Sequence, residues 1–456
     1  MFYDYADIAA EYGQPFITQG KHRREVNPDF LAALFLKANQ VKLQKNGTMV
    51  IYRQGRFDAI PERKVLNQIE EIGRALAKES KLDVGGLFPM FLLKEVLYKI
   101  KLRIQELDTA IPEGMIPCQN CVLQWNEGKG EFDRLDYSFK LAVPTRLDVK
   151  YDPDASAERF EEVIEEILPD EEDRRVVQEY FGAALFSANY SRKFLLLYGE
   201  GGCGKSVLVQ LLTKFLTRQR VFDLQIQKSS KEFCFAALEE QTLLTSSEAV
   251  SKALCSLGGE WVKKAVGGDS FQTDQKFRNE RIDHEGRFSL VIVSNNQLQF
   301  EFEGRGDEWR DRMIPIFFDQ HVPEGKRDQN LVEHLLDAER AGIFNWFLEG
   351  ARRVRHNNWI IVLSPTQRDR IEHLLARSKP LNVFVTNHVK WSQGQWFISA
   401  NAWKHYVKIQ KSAGLPLLTE KAFYKRLSEA MAEIYGVTST NSNPDRRFGY
   451  NNHKLI

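Results

Sequence analysis

The octet Gly199-Glu200-Gly201-Gly202-Cys203-Gly204-Lys205-Ser206 sets four glycines, a lysine and a hydroxyl at the spacing of a phosphate-binding loop. Glycines let the backbone curl until successive N–H groups face inward. Those donors, with the N-terminus of a following helix, hold a polyanion. ATP and Mg²⁺ are the expected ligands. Gly199, Gly201, Gly202, Cys203, Gly204 and Val207 would supply backbone, and the Lys205 ammonium would reach the β- and γ-phosphates. The Ser206 hydroxyl would ligate the metal. Cys203 occupies a variable position of the loop and counts as a backbone donor.

Three further segments carry residues suited to the same chemistry. The run 242–248 ends in Ser246-Ser247-Glu248, and Glu248 is the candidate for activating water and sharing the metal's shell. Ser247 stands where an aspartate is usual, so it would touch Mg²⁺ only through water. Glu239 and Glu240 precede that run and fall at its wrong end. The run LVIVSNN (290–296) puts Asn295 at the C-terminal end of a strand, where an amide can hold the attacking water or sense the terminal phosphate. Arg305, Arg310 and Arg312 crowd the approach to an apolar run ending at Phe318. Arg310 or Arg312 is expected to reach a neighbouring subunit's phosphate. The alternative is an ion pair within the chain, to Asp307, Glu308 or Asp311.

Such residues need a scaffold, and the surrounding pattern supplies one. Leu195–Tyr198, 242–245 and 290–293 are short apolar runs separated by helical stretches, the first of these at 207–217. Fully apolar strands alternating with helices predict a parallel α/β sheet covered on both faces. Ahead of it, 152–173 holds 11 acids and one base, in helical phase. Residues 48–57 predict two short strands about a Gln-Gly turn, 62–79 an amphipathic helix, and 116–151 further strands. The expected organisation is an N-terminal α+β domain (1–110), a strand and helical segment (111–190), a P-loop ATPase domain (191–350), and a last domain (365–456) entered by a hinge at Pro365.

That last domain carries the charge. The chain has net charge +1, yet 351–456 holds 17 Lys+Arg against 6 Asp+Glu, which favours a polyanionic partner. Helices are predicted at 399–414 and 419–431, followed by a basic hairpin at 446–456. This is a winged-helix layout, with Lys421, Lys425 and Arg426 on the outward side of the second helix to meet DNA.

Hydrophobic content of 43% and charged content of 27% are those of an ordinary soluble protein, and 87–101 is too broken by charge to span a membrane. The N-terminus carries acids where a secretory signal would carry bases. The five cysteines form no framework, so a reducing cytosol is expected. Cys118 and Cys121 make a lone CxxC without a second pair; strand positions are expected there rather than a zinc site.

Taken together, these segments resemble the superfamily III helicases, in the phage, plasmid and poxvirus-type primase-helicase branch. The carriers are LLLYGEGGCGKSVLVQLL, TLLTSSEA, WVKKAVGGDSFQTDQKFRNE, VIVSNN and EWRDRMIPIFF. NCVLQWNEGKGEF, with Asn120-Cys121-Val122-Leu123, is similar to the segment ahead of the family's ATPase. The resemblance implies an AAA+-like P-loop fold in a ring, usually a hexamer, with ATP between subunits and an arginine acting in trans. It also implies 3′–5′ movement along DNA during replication. Lys263, before Gly267-Gly268-Asp269, and Lys276 with Arg278 on a hairpin would then contact DNA. No paired acidic residues of a primase stand out in 1–110, so a separate primase or polymerase is expected as partner. The alternative is an ATP-regulated initiator or loader without processive unwinding; a small-molecule kinase leaves the C-terminal layout unexplained.

Overall fold

The computed structural model describes the chain apart from residues 1–4, 20–22, 45–46, 54, 83–85, 108–110, 140, 142, 144, 225, 227–237, 239–240, 251–252, 275–280, 297, 301, 303–305, 324, 326, 413–416 and 442–446. It forms two compact units, Met1–Trp125 with Phe132–Arg146, and Asn126–Glu131 with Leu147–Ile456.

In the first unit, α1 (Ala6–Tyr12), β1 (Phe16–Gln19) and β2 (Arg23–Val26) lead to α2 (Pro28–Ala38). Asn27 caps α2 by accepting from the Asp29 and Phe30 N–H groups, with Pro28 at the first helical position. Then come β3 (Val41–Leu43), β4 (Met49–Arg53), β5 (Arg56–Ala59), α3 (Glu62–Glu79) and α4 (Met90–Arg103). The α3 stripe read from the sequence is the buried one, through Val65, Leu66, Ile69 and Leu76. It packs with Leu31 and Phe35 of α2 and Val96 and Ile100 of α4. The strands β6 (Met115–Pro117), β7 (Val122–Asn126) and β8 (Glu131–Leu135) form a separate antiparallel sheet. Cys118 and Cys121 bracket its first turn, where the Cys118 N–H donates to the Cys121 carbonyl, so they are turn residues rather than strand residues. Both are buried.

The second unit is built on a five-stranded parallel sheet. In chain order its elements are α5 (Glu158–Ile167), α6 (Glu171–Ala184), β9 (Phe194–Gly199), α7 (Lys205–Phe215), β10 (Val221–Asp223), β11 (Leu243–Ser246), α8 (Ser256–Gly267), β12 (Ser270–Asp274), β13 (Arg281–Glu285), β14 (Ser289–Ser294), α9 (Asp307–Arg310), β15 (Met313–Phe318) and α10 (Leu331–His356). The sheet order is β10-β11-β14-β9-β15. β10 adds a strand to the four read from the sequence, the three alternating runs and the apolar strand ending at Phe318; at three residues ending in an acid, it has no apolar run to reveal it. Every residue of β11 and β14 is buried, as are Phe194–Leu197 of β9, so helices cover both faces. The crossing of α6 with α10 is unusually close because glycines face each other there. A Cβ on Gly182 would sit 2.1 Å from the Ala351 nitrogen, and one on Gly350 would sit 1.9 Å from the Gln178 oxygen.

Pro365 is not in a loop. It opens α11 (Pro365–Ser378), whose N-cap Ser364 forms a reciprocal capping box with Gln367. The α11 helix is tied back to α6, since Arg370 Nη1 lies 2.7 and 2.6 Å from the two carboxylate oxygens of buried Asp173. The chain continues through α12 (Pro380–His388), β16 (Val389–Ile398), α13 (Ser399–Ser412), α14 (Glu420–Tyr435) and β17 (Gly449–Leu455). Both predicted helices are present, and Thr419 caps α14. The terminal hairpin is not: β17 is a single strand whose antiparallel partner is β16, from before the helices. Hairpin formation was the cheaper local pairing, but β16 supplies Phe397 to cover the core of Tyr406, Phe423, Leu427 and Met431. Among the described residues, no helix is long and apolar enough to cross a membrane.

Candidate nucleotide site

The octet connects β9 to α7 as its pattern required, and three of its glycines are forced by their surroundings. Gly199 has φ 140°, and a Cβ there would lie 2.0 Å from the Phe318 oxygen of neighbouring β15. Gly204 caps α7 with φ 86° and sits against Ile167 of α5, while Gly202 has φ 81° and lies under Arg327. Gly201 faces open space. Cys203 is buried with Sγ 3.9 Å from the Gly201 oxygen.

Lys205 is only 4% exposed. Its Nζ donates to the carbonyls of Gly199 at 3.0 Å and Glu200 at 2.5 Å. Burial lowers the pKa of this ammonium. The cation thus waits on two neutral oxygens and gains most from an anion brought to the loop.

Beside the loop opens a cavity of about 540 Å³. Its floor is the backbone of 201–207, including Ser206 and Val207, and Asn295 lies on its rim. That position follows from register: Ser294 pairs with Tyr198 of β9, so the next residue emerges beside the loop. The walls were not foreseen. Val163 and Ile167 of α5 face Leu331, Leu335 and Ala338 of α10. Glu339, where α10 departs from helical geometry, accepts from the Arg159 and Phe160 N–H groups and so fixes the start of α5. Arg327 reaches over the loop, its Nε donating to the Val322 carbonyl at 2.9 Å. The acidic phase of 152–173 was read only as helical, and the apolar spacing at Leu331, Leu335 and Ala338 was an available signal that the sequence reading did not use.

Glu248 lies exposed in the turn after β11 and is not part of the cavity wall. The Ala249 N–H donates to the Val293 carbonyl at 2.9 Å, which pins that turn to β14. The Ser247 hydroxyl donates to Asp223 Oδ1 at 3.3 Å, and Thr245 Oγ1 donates to the same atom at 3.2 Å. Asp223 ends the unforeseen strand β10.

The arginines beside β15 have partners in the same chain. Arg310 makes a two-pronged contact with Glu372 of α11, Nε–Oε1 2.6 Å and Nη2–Oε2 2.8 Å, and also meets Asp307 at 3.0 Å. The Glu372 contact raises its pKa. Arg312 Nη1 donates to the Glu308 carbonyl at 3.1 Å, while its buried Nε has no hydrogen-bond partner among the described residues. Lys263 of α8 pairs with Glu308 at 2.9 Å and lies over the Trp309 ring. Lys276 and Arg278 lie outside the described residues; β12 and β13, on either side of them, pair antiparallel. Lys421, Lys425 and Arg426 are exposed on α14, whose opposite face buries Phe423, Leu427 and Met431. Among the described residues, no group of three or more His, Cys, Asp or Glu is placed to hold a metal.

Residues 21–169 match the family model described as D5 N terminal like. That match covers about a third of the chain and supports the likeness to the phage-type primase-helicase family. Residues 197–312, from β9 to the end of α9, match a second model, a family of unknown function, DUF5906. No curated protein matches the chain. Among solved structures, the A form apo structure of the NrS-1 C terminal region is similar over 91% of both chains, at 14% identity and TM-score 0.50. Another apo structure of that region, at 15% identity, covers 90% of this chain and 91% of its own with TM-score 0.49. At such identity the likeness is one of fold: mixed α/β around a parallel five-stranded sheet.

Proposed function

We propose that this protein is an ATP-driven DNA helicase of the primase-helicase type, with nucleotide bound at the β9–α7 loop. The observation that carries the reading is the buried Lys205 ammonium, held by two loop carbonyls beside a cavity of about 540 Å³. Cavities of roughly 300–1,000 Å³ hold ligands of nucleotide size. The apolar walls Val163, Ile167, Leu331, Leu335 and Ala338 suit a base, and the glycine floor suits phosphates. The sheet order supports an AAA+-like domain, since the strand after the loop's own pair, β14, lies between β9 and β11 and brings Asn295 alongside.

In this reading Lys205 moves from its carbonyls to the β- and γ-phosphates, and loop N–H groups hold their oxygens. Ser206, first-turn hydroxyl of α7, fits a hard oxygen-loving cation, and Mg²⁺ there would offset charge on the terminal phosphate. Glu248 accepts the attacking water's proton, and Asn295 orients that water. Arg310 or Arg312 meets phosphate across a subunit boundary of a ring, a hexamer by family likeness. Lys263, Lys276 and Arg278 track a DNA strand, with 3′–5′ polarity expected. The domains proposed for this work are 1–110, 111–190, an ATPase at 191–350 and a winged-helix-like DNA-binding domain at 365–456. A separate primase or polymerase completes the replication partnership.

The test is Lys205→Ala, assayed for ATP hydrolysis, forked-duplex unwinding and DNA binding. Hydrolysis and unwinding should vanish while DNA binding by the C-terminal domain persists. Full hydrolysis in the variant would remove the site assignment.

A further inference from the structure

Four residues of α14 lie on one stripe at helical spacing: Lys421, Tyr424, Lys425 and Ser428. The face opposite them is buried, so the stripe looks outward. Tyr424 and Ser428 form one wall of a cavity of about 390 Å³, apart from the nucleotide site. The other wall comes from the ribbon end, with Arg447, Phe448 and Tyr450, and from Ser399 and Ser439. Among the described residues, no acidic side chain lines it.

Phe448 is the unusual member. Its ring is 68% exposed. Its backbone is nevertheless held: the Ser399 N–H donates to the Phe448 carbonyl at 2.9 Å, and next to it Gly449 exchanges both backbone hydrogen bonds with Thr440 at 3.0 and 2.9 Å. A large ring displayed on a pinned backbone is presented to a partner, not merely left outside. The Tyr424 hydroxyl donates to Glu420 at 2.8 Å, which turns its polar tip outward along the helix. The remaining surface offers aromatic faces and three serine hydroxyls, with a guanidinium at the edge.

Aromatic faces with a few hydroxyls suit a nucleobase, whose flat surface stacks and whose edge hydrogen-bonds. The stripe continues into Lys421 and Lys425, both exposed. From Lys379 to Ile456 the chain has eleven Lys and Arg against four Asp and Glu, Glu420 among them, so the net charge of the surroundings favours phosphates. We propose that this cavity takes one unpaired base of a DNA strand, stacked on Phe448, with the flanking phosphates on Lys421 and Lys425. The inference rests on the DNA-binding reading of α14 and narrows it to a strand that is single at this point.

The experiment uses the full chain and a dye-labelled 20-mer of thymidylate, read by fluorescence anisotropy over a series of salt concentrations. A matched oligomer with abasic sites in place of every base is the control. Phe448→Ala should weaken thymidylate binding roughly ten-fold, the scale of one lost base–aromatic stack, and leave the abasic oligomer unaffected. Phe448→Trp should bind as the parent does. The double variant K421A/K425A should weaken both oligomers and reduce the salt slope by about 1.4, as loss of two single-strand phosphate contacts requires. Melting temperatures should be unchanged, because all three side chains are exposed. If K421A/K425A weakens binding and Phe448→Ala does not, the cavity is not a base site, and an aromatic side chain of a partner protein becomes its better occupant. If K421A/K425A also leaves binding intact, the DNA-binding reading of α14 fails with it.

Discussion

Replacing Lys205 by methionine should have opposite consequences with and without nucleotide. In the free protein the ammonium is 4% exposed and faced by two carbonyls at 3.0 and 2.5 Å. Methionine has similar length and removes the buried charge together with its desolvation cost, against the loss of two hydrogen bonds. These effects nearly cancel, so stability without ligand should change by no more than about 1 kcal/mol. With ATP the lysine has a charge-assisted role worth about 1.5–3 kcal/mol, which corresponds to roughly 12- to 160-fold in Kd. At 100-fold excess over the parent Kd, ligand stabilises the parent by about 2.7 kcal/mol. A 30-fold weaker variant would gain about 0.9 kcal/mol at the same concentration. At about 2 °C per kcal/mol for a unit of this size, the Tm shifts become roughly 5 °C and 2 °C. Calorimetric melts with and without Mg-ATP read both numbers. A large fall in the unliganded Tm would mean Lys205 is structural, and a full ATP shift in the variant would mean it does not meet phosphate.

The same residue sets a pH dependence. Burial lowers the Lys205 pKa in the folded protein. The unfolded chain therefore holds this proton to higher pH, and the charged lysine costs stability wherever both states carry it. That cost is relieved as pH rises through the folded pKa towards the ordinary lysine range. Relative to Lys205→Met, the unliganded parent should gain stability over that window, while its affinity for ATP falls.

The loop glycines should separate sharply. Gly199→Ala places a Cβ 2.0 Å from the Phe318 oxygen at φ 140° and should cost at least about 3 kcal/mol by urea unfolding. Gly201→Ala faces open space and should fold and bind ATP within about 0.5 kcal/mol of the parent. For Arg310, a double-mutant cycle with Glu372→Ala should show coupling of about 1–3 kcal/mol in stability, given the two-pronged contact. Loss of ATPase in Arg310→Ala with no such coupling would instead favour a role at a neighbour's phosphate.

The sequence was most informative where local rules and tertiary demands agree. β9, β11 and β14 were legible because a strand buried on both faces leaves an unbroken apolar run, and the α3 stripe because one face is buried over 18 residues. The loop's place between a strand and a helix was legible because its glycines, lysine and serine follow a pattern of fixed spacing. What escaped depended on contacts distant in sequence. β16 pairs with β17 from some 60 residues away, and neither strand has a period that specifies its partner. The α10 wall of the cavity reads as any amphipathic helix until α5 is set against it. The Arg310–Glu372 contact spans 62 positions, so Asp307, three residues away, was the nearer candidate and is the lesser partner.

The place of the missing aspartate can be narrowed by the sheet order. Ser247 occupies the position, and its proton goes to Asp223 Oδ1, which also receives Thr245. An acid so close invites the idea that it was moved one strand along rather than lost. Spacing argues against that. Adjacent strands lie about 4.8 Å apart, so β11, two steps from β9, is roughly 10 Å from the loop strand, and β10, three steps away, is roughly 14 Å. A carboxylate on β10 is too distant to enter the shell of a metal held at Ser206. It can, however, fix the Ser247 hydroxyl with its lone pairs directed away from Asp223, ready to accept from water. The carboxylate that the proposed site would draw on from this side is Glu248, one residue past Ser247 and exposed in the turn after β11. In the proposed enzyme, water activation would fall to that single carboxylate, with Asp223 and Ser247 holding the end of β11 in place beneath it.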